Sequence, residues 1–157
     1  MIVSFVLAAL LATSVPDVTL ADVERRFAHG SDTVFVVNFW ATWCRPCVAE
    51  LPVFDHLART SGSYSRPIKV VLVSLDAASD RATKLEPFIR KRGMSCEVVR
   101  LNESKPHLWI NRVDSTWQGS IPATWIVSRD QRVLYEREFT QRELHDTLTQ
   151  FLKSSPR

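Results

Sequence analysis

Two cysteines separated by two residues, Cys44 and Cys47, carry the clearest chemistry in this sequence. Pro46 lies between them, and apolar residues follow at helical spacing, which predicts that the pair sits at the start of a helix. The free N–H groups of a helix N-terminus stabilise a thiolate, and only the thiolate attacks a disulfide. Two thiols at this spacing can also close a small disulfide ring. The pattern therefore indicates thiol–disulfide exchange.

The residue after Cys44 could also lower the pKa of the Cys44 thiol. Lowering a cysteine pKa from about 8.5 to about 7 requires roughly 2 kcal/mol, which is within the combined reach of a helix terminus and an adjacent cation. Arg45 could supply that cation. It could equally be an exposed loop residue whose charge has little effect.

A Cys-x-x-Cys pair also occurs in haem-attachment and zinc sites. Haem attachment needs His directly after the second Cys, and Val48 stands there. Structural zinc needs two more ligands, and the available residues are not paired at ligand spacing. These residues are Cys96, His29, His56, His107 and His145. We therefore expect no metal and no bound cofactor.

The elements that must position the two cysteines alternate between strand and helix patterns, as in an α/β domain. The 157 residues, 45% hydrophobic and 24% charged, fit one globular core. Residues 33–40 are almost all β-branched or aromatic and predict a central strand buried on both faces. A helix at 46–60, kinked at Pro52, and a strand at 68–75 complete a predicted parallel βαβ unit.

The other predicted elements are shorter, and their ends rest on capping and turn residues. They are a helix at 22–28, a helix at 80–92, a strand at 97–101, a helix capped by Ser104 and ending at Arg112, a hairpin of strands 123–128 and 132–139, and a helix capped by Thr140 and ending near Lys153.

The N-terminal segment differs from the rest, because Ile2 to Ala12 is apolar except for Ser4. Small residues follow at a possible cleavage site, so we expect residues 1–14 to be a signal peptide or N-terminal anchor and residues 15–157 to be the domain. No Lys or Arg precedes the apolar stretch, and a buried strand is the alternative. Export to the periplasm, with or without a membrane anchor, is the expected location.

Charge and the remaining special residues suggest no further site. The net charge is +3, but Lys and Arg are interleaved with acids, so nucleic acid is not a predicted partner. Cys96 is predicted to be a buried free thiol. Four tryptophans are expected to be core or rim residues, namely Trp40, Trp109, Trp117 and Trp125.

Two segments carry a family resemblance. Residues 37–47, VNFWATWCRPC, followed by Glu50-Leu51-Pro52, resemble the TlpA-like and ResA-like branch of thioredoxin-fold proteins. Ile121-Pro122-Ala123-Thr124 is similar to the loop that bears a cis-proline opposite the active site in that family. The resemblance extends over residues 16–152. It implies a thioredoxin fold, which is an α/β fold with a central mixed β-sheet and flanking helices.

The resemblance also implies roles for individual residues. Cys44 would be the exposed nucleophile and Cys47 the resolving thiol. Pro122 would be the cis residue, and its neighbour Ile121 would offer backbone pairing to a substrate. The residues expected to contact the substrate are Trp43, Arg45, Pro46, Ile121 and Pro122.

One departure from the best-known thioredoxins concerns the proton acceptor. Those proteins carry a buried Asp on the central strand, where this chain has Asn38, and the branch it resembles supplies instead a glutamate three residues after the second cysteine, here Glu50. We expect Glu50 to lie beneath the disulfide with a raised pKa, buried under Val37, Phe39 and Leu51. The alternative is an exposed first-turn glutamate favoured by the helix dipole.

The predicted function is an exported thiol-disulfide oxidoreductase that acts on disulfides of other proteins. Its expected partners are those protein substrates and a membrane-bound thiol electron donor, and the chain is expected to be a monomer. One alternative is a thioredoxin-fold binding or assembly domain with a static disulfide. A thiol peroxidase is the other, although the Pro-x-x-x-Thr-x-x-Cys pattern of peroxiredoxins is absent, since Val37 and Ala41 occupy those positions.

Overall fold

The computed structural model describes residues 14–27 and 32–154. Nearly all of the predicted signal peptide or anchor, residues 1–13, therefore lies outside the described residues. Within the described ranges, no helix combines the length and the apolar character needed to cross a membrane.

The described chain forms six strands and five α-helices. In chain order they are β1 (Asp17–Val18), α1 (Leu20–Arg25), β2 (Val34–Trp40), α2 (Arg45–Thr60), β3 (Ile68–Ser74), α3 (Glu86–Arg92), β4 (Glu97–Leu101), α4 (Pro106–Val113), β5 (Ala123–Val127), β6 (Arg132–Tyr135) and α5 (Gln141–Ser154). The strands make one mixed sheet in the order β1-β4-β3-β2-β5-β6. β1, β4, β3 and β2 are parallel, whereas β5 and β6 run antiparallel to their neighbours.

The predicted βαβ unit is confirmed. Every residue of β2 is buried, and β2 pairs with β3 in parallel from Val34 opposite Ile68 to Trp40 opposite Ser74. Because successive residues of a strand point to opposite faces, the sheet separates two apolar cores. One core contains side chains of α2 and α5, including Leu51, Phe54 and Leu148. The other contains side chains of α1 and α4 and three of the predicted core tryptophans, Trp109, Trp117 and Trp125.

Several predicted element ends are wrong. α1 begins at Leu20 because Thr19 and Asp22 form a capping box, and it ends at Arg25. The helix predicted at 80–92 is instead a 3₁₀ turn, a π-helical segment (Arg81–Leu85) and then α3. Pro87 explains the break, because it lacks an N–H and clashes with the carbonyl four residues earlier.

Two further predicted element ends, both in the C-terminal half of the chain, are wrong. Ser104 does not cap α4, which begins at Pro106 with Lys105 at the N-cap and no side-chain cap. β6 ends at Tyr135 rather than at Phe139, whose backbone N–H bonds to Glu50 instead of to a strand. Thr140 does cap α5 as predicted, and Glu143 completes the cap, since each binds the backbone N–H of the other.

Candidate active site

Cys44 and Cys47 form a disulfide at the start of α2, with their Cα atoms 5.3 Å apart. After β2 the chain turns tightly, since the Cys44 N–H donates to the carbonyl of Ala41 at 3.1 Å. Cys44 is then the N-cap of α2, and its Sγ accepts a hydrogen bond from the Cys47 N–H at 3.3 Å. A sulfur in this position faces the positive end of the helix dipole. The predicted placement of the pair is confirmed.

The two cysteine residues differ in exposure. Cys44 is 6% exposed and Cys47 is fully buried, whereas Trp43 is 66% exposed. The prediction that Cys44 is an exposed residue is therefore wrong for the disulfide form. The reason is packing, because Cys44 belongs to the same apolar core as Leu51, and Ile121 packs against that core. It is still the more accessible of the two cysteines.

The loop before β5 lies against the disulfide. β5 pairs antiparallel with β2, so the segment that enters β5 at Ala123 meets the end of β2 at Phe39. The Ile121–Pro122 peptide bond is cis, as the resemblance implies. The carbonyl oxygen of Ile121 lies 3.9 Å from Cys44 Sγ. Residues 77 positions apart thus form one surface around the sulfur.

The remaining predicted contact residues lie on the turn and the first turn of α2. Arg45 and Pro46 are exposed beside the exposed indole of Trp43. The Arg45 side chain makes no ion pair or hydrogen bond to another described residue, and its exposed guanidinium faces solvent. Trp43, Arg45 and Pro46 together form an apolar and cationic rim next to the buried sulfur.

Glu50 is a buried carboxylate, only 3% exposed. Its Oε1 accepts a hydrogen bond from Asn38 Nδ2 at 2.9 Å, and its Oε2 accepts one from the Phe139 N–H at 2.8 Å. Burial raises the pKa of Glu50 to about 7, against the lowering effect of these two hydrogen bonds. The alternative of an exposed first-turn glutamate is thereby excluded, and the predicted rise in its pKa agrees with this environment.

The environment of Glu50 differs from the predicted one in one respect. Val37 and Phe39 point into the core on the opposite face of the sheet, so they do not cover Glu50. Asn38, between them, faces α2 because side chains alternate along a strand. Its Nδ2 also donates to Thr124 Oγ1 at 3.1 Å, and its Oδ1 has no partner among the described residues.

Two further residues of this site, Thr42 and Asp76, were not predicted from the sequence. Asp76 follows β3, is 1% exposed, and binds both the backbone N–H and the hydroxyl of Thr42 in the turn before Cys44. The signal was present, since Ser74-Leu75-Asp76 ends a buried strand with two polar residues. Polar residues directly after parallel strands collect at one sheet edge, where this fold class places its sites.

Other titratable groups lie away from the disulfide. Cys96 is a buried free thiol as predicted, and burial raises its pKa to about 12. Within residues 14–27 and 32–154, no cluster of three or more His, Cys, Asp or Glu side chains could hold a metal ion. A cavity of about 460 Å³ lies between α2 and α5 and is lined by His56, Tyr64 and His145 among others. Neither cysteine of the pair contributes to that cavity.

Comparison with known proteins places these features in a family context. The sequence profile of the AhpC/TSA family matches residues 8–136. Thiol-disulfide oxidoreductase ResA of Geobacillus thermodenitrificans is 26% identical over 134 residues, which cover 80% of this chain and 68% of ResA. The chloroplastic thioredoxin M-type of Pisum sativum is 40% identical over 55 residues, which cover 35% of this chain but only 30% of that protein.

The fold is shared with a solved structure. The crystal structure of a thioredoxin-related protein from Neisseria meningitidis serogroup B superposes with a TM-score of 0.64 at 21% identity, covering 77% of this chain and 86% of that one. The mixed sheet with flanking helices is thus a thioredoxin fold, as the sequence predicted. The resemblance to ResA-like proteins is likewise confirmed.

Proposed function

This chain belongs to the AhpC/TSA family of thioredoxin-like proteins, and on that basis we propose that it is a thiol-disulfide oxidoreductase acting on disulfides of other proteins. The observation that carries the proposal is the Cys44–Cys47 disulfide at the N-terminus of α2, with the Ile121 carbonyl 3.9 Å from Cys44 Sγ. A bridge in this place is closed by residues three positions apart, and its Cys44 end, 6% exposed, is more accessible than the fully buried Cys47.

The first step of the reaction uses the dithiol form. The Cys44 thiolate attacks one sulfur of a substrate disulfide, the substrate S–S bond breaks, and the departing sulfur takes a proton. The product is a mixed disulfide between Cys44 and the substrate. The position of Cys44 at the N-cap supports this role, since its sulfur already accepts the Cys47 N–H and a thiolate would accept it more strongly.

The second step releases the substrate. Cys47 transfers its proton to the Glu50 carboxylate and attacks Cys44 Sγ, and the second substrate sulfur leaves as a thiolate that takes a proton. Two electrons have then passed from the protein to the substrate, and the 44–47 bridge is restored. A carboxylate with a pKa of about 7 is suited to this exchange, because its pKa lies close to that of an activated thiol.

Asn38 supports Glu50 in both protonation states. It donates Nδ2–H to the ionised carboxylate at 2.9 Å, while its Oδ1 is a buried acceptor without a partner among the described residues. Rotation of the amide would present Oδ1 to the O–H of a protonated Glu50. Thr124, whose hydroxyl both donates and accepts, tolerates either orientation.

Substrate recognition falls to the residues around the sulfur. Trp43, Arg45 and Pro46 would contact the substrate beside its disulfide, and Ile121 would pair with its backbone next to Pro122. The 66% exposure of Trp43 supports a docking role, because aromatic residues are enriched at protein interfaces and among the residues that contribute most to binding.

The cellular setting is also part of the proposal. The apolar segment at Ile2 to Ala12 supports export to the periplasm. There a membrane-bound thiol carrier would reduce the bridge again after each turnover. The chain would act as a monomer, since the exchange mechanism needs no group from a second copy.

The reduction potential of the Cys44–Cys47 couple tests the proposal. We expect a value above about −300 mV when the protein is equilibrated with dithiol buffers, because a bridge below that value resists exchange. Reduction of insulin by the dithiol form, with the Cys44→Ser/Cys47→Ser variant as control, completes the test. A lower potential together with no insulin reduction would instead indicate a thioredoxin-fold domain with a static disulfide.

A further inference from the structure

Asp76 joins the end of β3 to the turn that carries the nucleophile. Its Oδ2 accepts the Thr42 N–H at 3.0 Å and the Ser74 hydroxyl at 2.7 Å, and its Oδ1 accepts the Thr42 hydroxyl. The side chain is 1% exposed. A buried carboxylate that accepts three hydrogen bonds is well satisfied, whereas an amide in its place keeps only one acceptor oxygen and lacks the charge that strengthens these bonds.

The pairing of β2 with β3 explains why these residues meet. The strands are parallel, and Trp40 lies opposite Ser74 at their carboxyl ends. The Leu75 N–H donates to the Trp40 carbonyl at 2.8 Å, which extends the pairing by one residue. Two residues past each strand end, Asp76 and Thr42 are therefore neighbours.

The backbone of Asp76 is also fixed by hydrogen bonds. The guanidinium of Arg100, 4% exposed, donates to the Asp76 carbonyl at 3.5 Å. The same guanidinium makes a two-point ion pair with Asp17 of β1, both distances being 2.7 Å. The Asp76 N–H bonds to Ser74 Oγ at 3.0 Å. These bonds fix the backbone of Asp76 and therefore the direction in which its carboxylate points.

Thr42 links this anchor to the nucleophile. It lies inside the turn that the Cys44 N–H closes on Ala41, and two of its groups are held by Asp76. We propose that Asp76 is a positioning residue for thiol-disulfide exchange, which holds Thr42 so that the turn keeps the Cys44 sulfur at the N-terminus of α2. This inference rests on the proposed function, since it assigns Asp76 to the reaction of Cys44.

If Asp76 positions Cys44, its loss should shift the pH profile of the Cys44 reaction in one direction. If Asp76 acts only through its negative charge, its loss should shift that profile in the opposite direction. Loss of the anchor lets the Cys44 sulfur move away from the helix N-terminus, so its thiolate is less stable and the pH profile of its reaction moves to higher pH. Removal of a nearby negative charge alone would favour the thiolate and move the profile to lower pH. A residue that only stabilises the fold would leave the profile where it is.

The experiment measures alkylation of Cys44 by iodoacetamide in the reduced full chain across pH, with the labelled Cys44 peptide quantified by mass spectrometry. The variants are Asp76→Asn, Thr42→Val, which keeps the branched shape without the hydroxyl, and Thr42→Ser, which restores the hydroxyl. The matched control is Asp22→Asn. Asp22 binds both the N–H and the hydroxyl of Thr19, each at 2.7 Å, but in α1.

For Asp76→Asn we expect the midpoint of the profile to rise by about 0.5 to 1 pH unit. The rate below the midpoint should fall about two- to threefold, because the loss of thiolate is partly offset by greater nucleophilicity. Thr42→Val should shift in the same direction by less, while Thr42→Ser and Asp22→Asn should match the wild type.

A midpoint that is unchanged or lower in the folded Asp76→Asn and Thr42→Val variants overturns the inference. If Asp76→Asn does not fold, Thr42→Val decides alone, and an unchanged midpoint in that variant is the contrary result. Alkylation needs no disulfide substrate. A wild type that fails to reduce insulin would therefore defeat the proposed function, while this measurement still decides the role of Asp76.

Discussion

The backbone N–H of Phe139 donates to Oε2 of Glu50 at 2.8 Å, although the two residues are 89 positions apart in the chain. This bond ties α2 to the segment between β6 and α5. It also fixes one carboxylate oxygen of Glu50, while Asn38 fixes the other. The carboxylate is therefore buried, satisfied and held in one orientation, and four predictions concern it and the cysteines.

Replacement of Glu50 should change how stability depends on pH. Burial raises its pKa to about 7 in the folded protein from an ordinary value of 4.5, so the folded protein keeps this proton to higher pH than the unfolded chain does. Its contribution to stability is full below pH 4.5 and is lost as the pH rises through 7. The loss amounts to at most about 3 kcal/mol.

Glu50→Gln should lack this pH dependence. At low pH it should match the wild type to within about 1 kcal/mol, because its amide N–H₂ can donate to Asn38 Oδ1 after the rotation that would also serve a protonated Glu50. Urea unfolding of the wild type and of Glu50→Gln, each with the Cys44–Cys47 disulfide formed, measures the difference in the free energy of unfolding at several pH values. Parallel stability curves for wild type and variant would contradict the burial argument.

The same replacement should slow resolution of the mixed disulfide. Without a proton acceptor for Cys47, Glu50→Gln should release substrate at least about tenfold more slowly at neutral pH, and the rise in rate through pH 7 should disappear. Stopped-flow measurement of the release step, with the exposed Glu97→Gln as the control, tests this. Identical pH–rate profiles for wild type and Glu50→Gln would return Glu50 to a structural role.

The two cysteines should behave differently as trapping variants. Cys44 is 6% exposed and Cys47 is fully buried, so only Cys44 can reach a substrate disulfide. Cys47→Ser should accumulate mixed disulfides with substrate proteins, whereas Cys44→Ser should accumulate none. Non-reducing electrophoresis after incubation with a disulfide-bonded protein reads this out. Equal accumulation by both variants would remove the assignment of nucleophile and resolving thiol.

Cys96 should take no part in the reaction. Burial raises its pKa to about 12, so almost no thiolate exists at neutral pH. In the oxidised protein it is the one remaining thiol of three cysteines. We expect no alkylation of the native oxidised protein, rapid alkylation in denaturant, and unchanged insulin reduction by Cys96→Ser. Rapid native alkylation, or lost activity in the variant, would show a role for this thiol.

The local sequence by itself determined the central elements and the reactive pair. The β-branched and aromatic run at residues 34–40 is typical of a strand buried on both faces, and the geometry of Cys44 and Cys47, three residues apart, follows from the start of a single helix. Capping residues act over the same short range, and Thr140 was predicted correctly for that reason. Where local signals competed, as at Pro87, the predicted helix was wrong.

Contacts between distant segments were decided only by the tertiary structure. Strand order and register decide three features of the site. They determine which face of β2 covers Glu50 and how far the loop at Ile121 buries Cys44. They also bring Asp76 next to Thr42. Neither spacing nor composition encodes these quantities, because they arise when β3 and β5 pack on either side of β2. The sequence supplies the reactive groups, whereas packing sets their exposure, their hydrogen-bond partners and the pKa of Glu50.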